Sequence, residues 1–326
     1  MRDGGDRGSH RAPAWLRGGH AQTIWPAFVA RPPVRWRRET VATPDGDAWQ
    51  FDWLDAPARP GAPLVVLFHG LEGSSDSHYA RAMMAEVARR GWRGVVPHFR
   101  GCGGEPNRLP RAYHSGDHEE VGAMLGAVRE RAGPDTPLFV VGVSLGGSAL
   151  LNWLGRAGAG AAAIVARAAA VSAPLDLMAA GRSIDRGTNR IYAWHFLRTL
   201  APKARAMAAR FPGSLDASRL SRLTTMWAFD DAVTAPLHGF GGTADYWTRA
   251  SSKSWLARVG VPTLVLNARN DPFIPAASLA GPSEVSPHVV LERPEHGGHA
   301  GFVTGPFPGR LDWLPRRLLA WFGEGR

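Results

Sequence analysis

One hydroxyl interrupts good core sequence in PLFVVGVSLGGSAL, residues 137–150. It is Ser144, set within Gly142-Val143-Ser144-Leu145-Gly146. The run from Leu138 to Val141 before it is unbroken and apolar, as a strand covered on both faces requires. The stretch SALLNWLG after it reads as a helix. A serine at such a junction can be a simple helix cap. Between glycines it can instead be a nucleophile on a strained turn, where glycines let strand and helix pass closely and the helix N-terminus presents N–H groups to developing negative charge. The strand before it and the helix after it favour the nucleophile.

A hydroxyl nucleophile needs a base, and the base needs an orienting acid. TLVLNARNDPFIP ends a strand-like run and delivers Asp271, the only aspartate between Asp245 and Asp312. LERPEHGGHAGF then offers two imidazoles, His296 and His299, whereas His288 opens a strand rather than following one. His299 is the stronger candidate. Gly297 and Gly298 free the backbone to swing its ring toward Ser144, and small Ala300 and Gly301 leave room beside it. His296 follows Glu295 directly, where local hydrogen bonds would hold it. An oxyanion needs N–H donors, and FHGLEGS (68–74) follows an early strand, where the second donor of such sites arises. The hole is assigned to the backbone N–H groups of Leu71 and Leu145, with His69 beside it in a structural hydrogen-bonding role.

Other clusters suggest chemistry less well. YHSGDHEE (113–120) gathers His114, Asp117, His118 and Glu119, but its spacing matches no metal-ligand motif and reads as a helix start. FRGCGGEP (99–106) is glycine-rich yet is neither G-x-G-x-x-G nor a P-loop, and no strand-to-helix turn surrounds Cys102. Asp230-Asp231 reads as an anchor for neighbouring helices. No metal and no organic cofactor is expected.

The chain that must position these groups has 326 residues, 44% apolar and 20% charged, which suits one large globular α/β domain. A single cysteine permits no internal disulfide, and no run of about 18 apolar residues is present. AQTIWPAFVA is too short and too interrupted for a signal-peptide core. These features predict a cytoplasmic protein. The net charge of +10 comes almost wholly from scattered arginines, with Lys203 and Lys253 the only lysines. No nucleic-acid-binding motif accompanies it. Membrane contact is expected to be peripheral at most, and the sequence does not specify an oligomeric state.

Along the chain, residues 1–19 read as a polar, partly loose segment, and VRWRRETVA, TPDGD and AWQFDWLD as a hairpin turning at Asp45-Gly46. Apolar runs at 63–70, 92–101, 137–143, 161–171, 261–271 and 288–298 then alternate with amphipathic stretches, ending in LDWLPRRLLAWFG. That alternation predicts a mostly parallel sheet with helices on both faces. The stretch 174–254 has no good strand and many aromatics, and reads as a helical cap inserted over the carboxyl edge of the sheet, where ligands bind.

HAQTIWPAF, FHGLEGSSDSHYARA, FRGCGGEPNRLPRAYHSGD, GVSLGGSALLNWLG, FDDAVTAPLHGF, DYWTRASS, LNARNDPFIP and PEHGGHAGFV together resemble the YheT-type esterases of the α/β-hydrolase superfamily, from about His20 to Phe322. The resemblance implies an α/β-hydrolase fold and a serine hydrolase of carboxylesterase or lipase type. It also implies a triad at the positions of Ser144, Asp271 and His299. Ser148, where relatives often carry asparagine, is a departure expected to bear on substrate fit. The expected reaction is hydrolysis of short- to medium-chain acyl esters or glycerolipids, small-molecule or lipid substrates, through an acyl-enzyme. A thioesterase or acyltransferase would use the same residues, and a non-catalytic binding protein on this fold would not need all three.

Overall fold

The computed structural model of the chain describes residues 9–324. In order its elements are α1 (Gly19–Ile24), β1 (Trp36–Ala42), β2 (Ala48–Leu54), β3 (Leu64–Phe68), α2 (His78–Arg89), β4 (Arg93–Pro97), α3 (His118–Ala132), β5 (Leu138–Val143), α4 (Leu145–Ala157) and β6 (Arg167–Val171). Helices follow: α5 (Leu177–Ile184), α6 (Arg190–Arg210), α7 (Met226–Phe229), a π-helical turn (Asp230–Thr234), α8 (Ala235–Leu237) and α9 (Thr243–Ala250). The chain closes with β7 (Thr263–Leu266), β8 (Val289–Glu292) and α10 (Trp313–Gly323).

The eight strands form one sheet in the order β1-β2-β4-β3-β5-β6-β7-β8. β1 and β2 pair antiparallel to each other, β2 pairs antiparallel to β4, and every other pairing is parallel. The α/β-hydrolase fold expected from the sequence is the fold observed. Strand periodicity decides the layers, because successive side chains leave opposite faces. Leu64, Val66 and Phe68 of β3 join Val140 of β5 in a core with Val121 and Leu125 of α3 and Leu150 and Leu154 of α4. Val65, Leu67 and Val141 face the other way, onto Met83 and Val87 of α2 and Leu318 and Phe322 of α10. β6 contributes Ala168, Ala169 and Ala170, each fully buried, and these small side chains fit beneath closely packed helices.

No strand of the described residues lies between Val171 and Thr263. The helices there form their own cluster, with Ala193, Leu197, Phe229, Tyr246 and Trp247 at its centre. No described helix is long and apolar enough to cross a membrane. Of the segment 1–19 read as partly loose, residues 1–8 lie outside the described residues, and in the described part His10 is 4% and Leu16 5% exposed. His10 is pinned between the carbonyl oxygens of His296 and Val303, 3.0 and 3.1 Å from its two ring nitrogens and nearly 300 residues away in sequence. Gln22 adds a bond from its amide to Leu16 O and accepts one from Val303 N–H.

At the antiparallel side of the sheet, Asp52 of β2 is a buried hub. It accepts Arg38 Nε and Nη2 at 2.7 and 2.8 Å, Ser75 Oγ at 2.6 Å and His98 Nε2 at 3.0 Å. Burial pushes its carboxyl pKa up, but these donors outweigh burial and hold it well below the ordinary carboxylate range. Asp52→Ala leaves His98 and Ser75 buried without that acceptor. Arg38 is half-exposed and can turn to water, so the expected loss is about 3 kcal/mol, at the low end for a broken buried pair. Because the folded pKa is depressed, the stabilisation is complete above about pH 4 and disappears as pH falls through the folded value. Urea unfolding of wild type and Asp52→Ala should therefore converge on acidification. A gap that stays constant below about pH 4 would contradict this.

Candidate active site

Ser144 is the residue between β5 and α4, at φ 55° and ψ −121°. An L-residue enters this region only under constraint, at a cost of about 1–3 kcal/mol. The constraint is visible in the glycines around it. A Cβ on Gly146 would lie 2.4 Å from the carbonyl oxygen of His69, and one on Gly142 would lie 2.5 Å from that of Gly146. Backbone meets backbone at both places, so no side chain can yield. Ser144 N–H donates to Val171 O on neighbouring β6 at 2.8 Å, and Ser144 O accepts from Ser148 N–H at 3.0 Å. The turn is thus tied to β6, packed against the end of β3 and continued as α4.

Asp271 follows β7 and His299 follows β8, and the structure brings both to Ser144. His299 Nε2 lies 2.8 Å from Ser144 Oγ, and His299 Nδ1 lies 2.8 Å from Asp271 Oδ2. A carboxylate only accepts, so Nδ1 carries the proton and Nε2 is left to accept from the hydroxyl. The Asp271 side chain is fully buried, and its other oxygen accepts from Phe273 N–H at 2.8 Å. The Phe273 ring lies over the imidazole, with centroids 4.2 Å apart. Gly298 adopts φ 58°, and a Cβ there would lie 2.7 Å from Gly19 O, so α1 presses directly on this loop. His299 N–H donates to Thr23 Oγ1 of α1 at 2.9 Å. His296 is engaged elsewhere, accepting from Asn270 Nδ2 at 3.3 Å.

None of the described hydrogen bonds uses the N–H of Leu71 or Leu145. Leu145 is the first residue of α4, where an amide has no partner within the helix. The turn bearing Leu71 sits against the serine, since a Cβ on Gly70 would be 3.1 Å from Ser144 Cβ. Two phenols hold this turn: Tyr79 Oη accepts from Gly70 N–H at 2.9 Å and Tyr113 Oη from Glu72 N–H at 2.7 Å. Sequence reasoning missed both, because nothing local to Tyr79 or Tyr113 announces a partner in the turn. His69 donates from Nδ1 to Gly70 O and accepts Phe99 N–H at Nε2, and burial lowers its pKa to about 3, so it stays neutral.

Ser144 and His299 open into a cavity of about 150 Å³ whose walls include Leu71, Ile184, Phe196, Met226 and Trp247. A second cavity of about 280 Å³ adjoins it, and the two share Ala112, Tyr113, Leu200 and Phe229. Asp230 also borders the first cavity. Its carboxylate accepts from Trp247 Nε1 at 2.7 Å and Thr234 Oγ1 at 2.6 Å, and burial raises its pKa to about 7. Asp231 pairs with Arg219 and accepts Thr243 N–H, so this acid pair ties α9 and the segment before α7 to the π-helical turn. Ser148 corrects a sequence expectation. It is fully buried in α4 and lines neither cavity, so it touches no substrate space. In the 113–120 cluster, Asp117 pairs with Arg111, Glu120 with Arg100 and Trp49, and His118 with Gly116 O. Burial pushes the Cys102 thiol up to about 12, away from thiolate chemistry.

A family model described as alpha/beta hydrolase fold matches residues 63–306. YheT of Escherichia coli (strain K12) is 37% identical over 308 residues, covering 93% of this chain and 89% of that protein. Phospholipase ABHD3 of Mus musculus is 31% identical over 314 residues, covering 93% of this chain and 75% of that protein. Among solved structures, an esterase of Pyrococcus furiosus aligns with a TM-score of 0.57 at 14% identity, over 90% of this chain and 97% of that one, a likeness of fold. The matches agree with the sheet order and with the strand-turn-helix at Ser144: the chain belongs to the alpha/beta hydrolase family, in the branch that includes YheT.

Proposed function

We propose that this chain is a serine hydrolase of carboxylesterase or lipase type, acting on esters of short- to medium-chain acyl groups or on glycerolipids. The observation that carries this reading is the pair of 2.8 Å contacts that join Ser144 Oγ to His299 and His299 to Asp271. Ser144 attacks the ester carbonyl while His299 Nε2 takes the hydroxyl proton and then gives it to the leaving alcohol. Asp271 keeps the proton on Nδ1 and stabilises the imidazolium. The Leu71 and Leu145 N–H groups receive the oxyanion. Water, activated by the same imidazole, releases the acyl group from Ser144. The segment 174–254 is the cap of this one-domain enzyme, and its apolar side chains bind the acyl chain. A relative that is a phospholipase supports a lipid-like ester.

Ser144→Ala should abolish labelling by a fluorophosphonate and lower p-nitrophenyl butyrate turnover by about four to six orders of magnitude. It should fold normally, since only one oxygen is removed. Full labelling of the variant would overturn the assignment. His299→Ala should be almost as inactive. His296→Ala should keep at least about a tenth of wild-type kcat and lose mainly thermal stability. The reverse pattern would make His296 the base.

The two adjoining cavities bear on chain length. Leu200 borders both, and Leu200→Trp should narrow the passage between them. The kcat/KM for p-nitrophenyl octanoate should then fall at least about tenfold relative to the butyrate ester. An equal loss on both substrates would contradict a passage at Leu200.

A further inference from the structure

Four aromatic rings meet at the surface beside the His299 loop. Trp15 and Trp25 lie 5.5 Å apart between centroids, and Phe307 lies 5.6 Å from Trp15 and 5.7 Å from Trp25. Phe28 joins at 5.9 Å from Trp25. Phe28 is 72% and Phe307 71% exposed. Of the large exposed hydrophobics among the described residues, Trp15, Phe28 and Phe307 belong to this patch and Ile24 precedes Trp25 at the end of α1, while Ile191, Trp194, Trp227 and Val290 lie on α6, α7 and β8. Single exposed apolar residues are ordinary, but a contiguous cluster marks a contact surface.

The rings are held in place. Trp15 Nε1 donates to Gly305 O at 3.1 Å and Trp25 Nε1 to Pro308 O at 2.8 Å. Thr304 and Arg310 bridge across the base of the loop that carries Phe307. Both indole N–H groups are therefore satisfied inside the protein, and only apolar ring surface is offered outward.

Charge says what the patch meets. From His10 to Arg38 the chain has no acidic residue, while Arg11, Arg17, Arg31, Arg35 and Arg37 are interspersed. Arg310 lies against Gly305, within the loop that holds Trp15. The nearest acid in sequence, Asp312, faces both Arg310 at 3.5 Å and Arg316 at 3.3 Å, so cations still outnumber it. Arg31 spends one N–H on the Asp76 carbonyl. The whole chain carries +10, so a second copy would be repelled. Aromatic rings beside Arg310, on a segment that carries arginines and no acid from His10 to Arg38, suit the interface of an anionic bilayer, where rings sit among the headgroups and cations meet phosphate.

We propose that Trp15, Ile24, Trp25, Phe28 and Phe307, with Arg310 and the arginines of the basic segment 10–38, form a docking surface for anionic phospholipid bilayers. The surface is built on the segment that aims the catalytic imidazole. Thr23 of α1 accepts the His299 N–H at 2.9 Å, and a Cβ on Gly301 would run into Gln22 O. Docking here brings a bilayer to the side of the molecule that carries the His299 loop. This goes beyond the proposed esterase reading and can be tested without turnover.

The test is co-sedimentation of the full chain with vesicles of phosphatidylcholine alone or mixed equally with phosphatidylglycerol. Wild type should bind the mixed vesicles, bind the neutral ones weakly, and lose binding as salt is raised. Phe28→Ser/Phe307→Ser should bind at least about tenfold more weakly. Both side chains are largely exposed, and circular dichroism with unchanged p-nitrophenyl butyrate turnover would show that fold and esterase site are intact. The single variant Phe28→Ser should give an intermediate loss. No binding of wild type to mixed vesicles, or equal binding by the double variant, would overturn the proposal. So would a dimer at sedimentation equilibrium that the double variant dissociates. Failure of the esterase reading would appear separately, as absent turnover with vesicle binding preserved.

Discussion

The site depends on a serine held in a backbone conformation that it would not choose. At φ 55° and ψ −121°, Ser144 stores about 1–3 kcal/mol of strain. That strain persists because β5, β6, the end of β3 and the start of α4 all converge on the same few atoms. Gly142 and Gly146 permit the convergence, since any side chain would meet carbonyl oxygens of the turn or of His69. In return the hydroxyl is fixed at the end of the strand and the first N–H groups of α4 remain without helical partners.

The second half of the site is positioned from far along the chain. His299 is aimed by two glycines in its own loop, by Asp271 and by Thr23, which lies 276 residues earlier. His10, Gln22 and Gly19 press the N-terminal segment onto the loop between β8 and α10. The segment is small, and its role is to hold the loop's backbone against the turn. The turn opposite, which carries Leu71, is held in a similar way by the hydroxyls of Tyr79 and Tyr113. Both sides of the candidate site are therefore fixed by hydrogen bonds to backbone amides, which leaves the Ser144 hydroxyl and His299 Nε2 to meet each other.

Much of this was legible in the sequence where a local requirement writes a local pattern. Buried parallel strands need continuous apolar runs, so β3, β5 and β7 could be read directly, and the alternation with helices gave the fold class. So tight a strand-to-helix turn requires glycines at fixed offsets from the serine, so Gly142-x-Ser144-x-Gly146 could be read as well. The hairpin turn needs a positive φ, met by Gly46 at 90°. Contacts between distant segments write no such pattern. Residues 9–19 look partly loose by composition, yet His10 is buried because its partners are the carbonyls of His296 and Val303. Ser148 is close to Ser144 in sequence, but helical geometry turns it into the core and away from the cavity. Tyr79 and Tyr113 read as ordinary aromatics until the turn they support is seen.

The central claim is that Ser144 becomes acylated. Rapid quenching of the protein with p-nitrophenyl butyrate, followed by peptide mass mapping, tests it most directly. The account predicts a burst of p-nitrophenol near one equivalent per chain, or a smaller burst if deacylation is fast. It also predicts a butyryl group on the peptide that contains Ser144, disappearing as substrate is exhausted. Ester cleavage with no acylated peptide under any quench time, or with the butyryl group on Cys102 or another side chain, would contradict it.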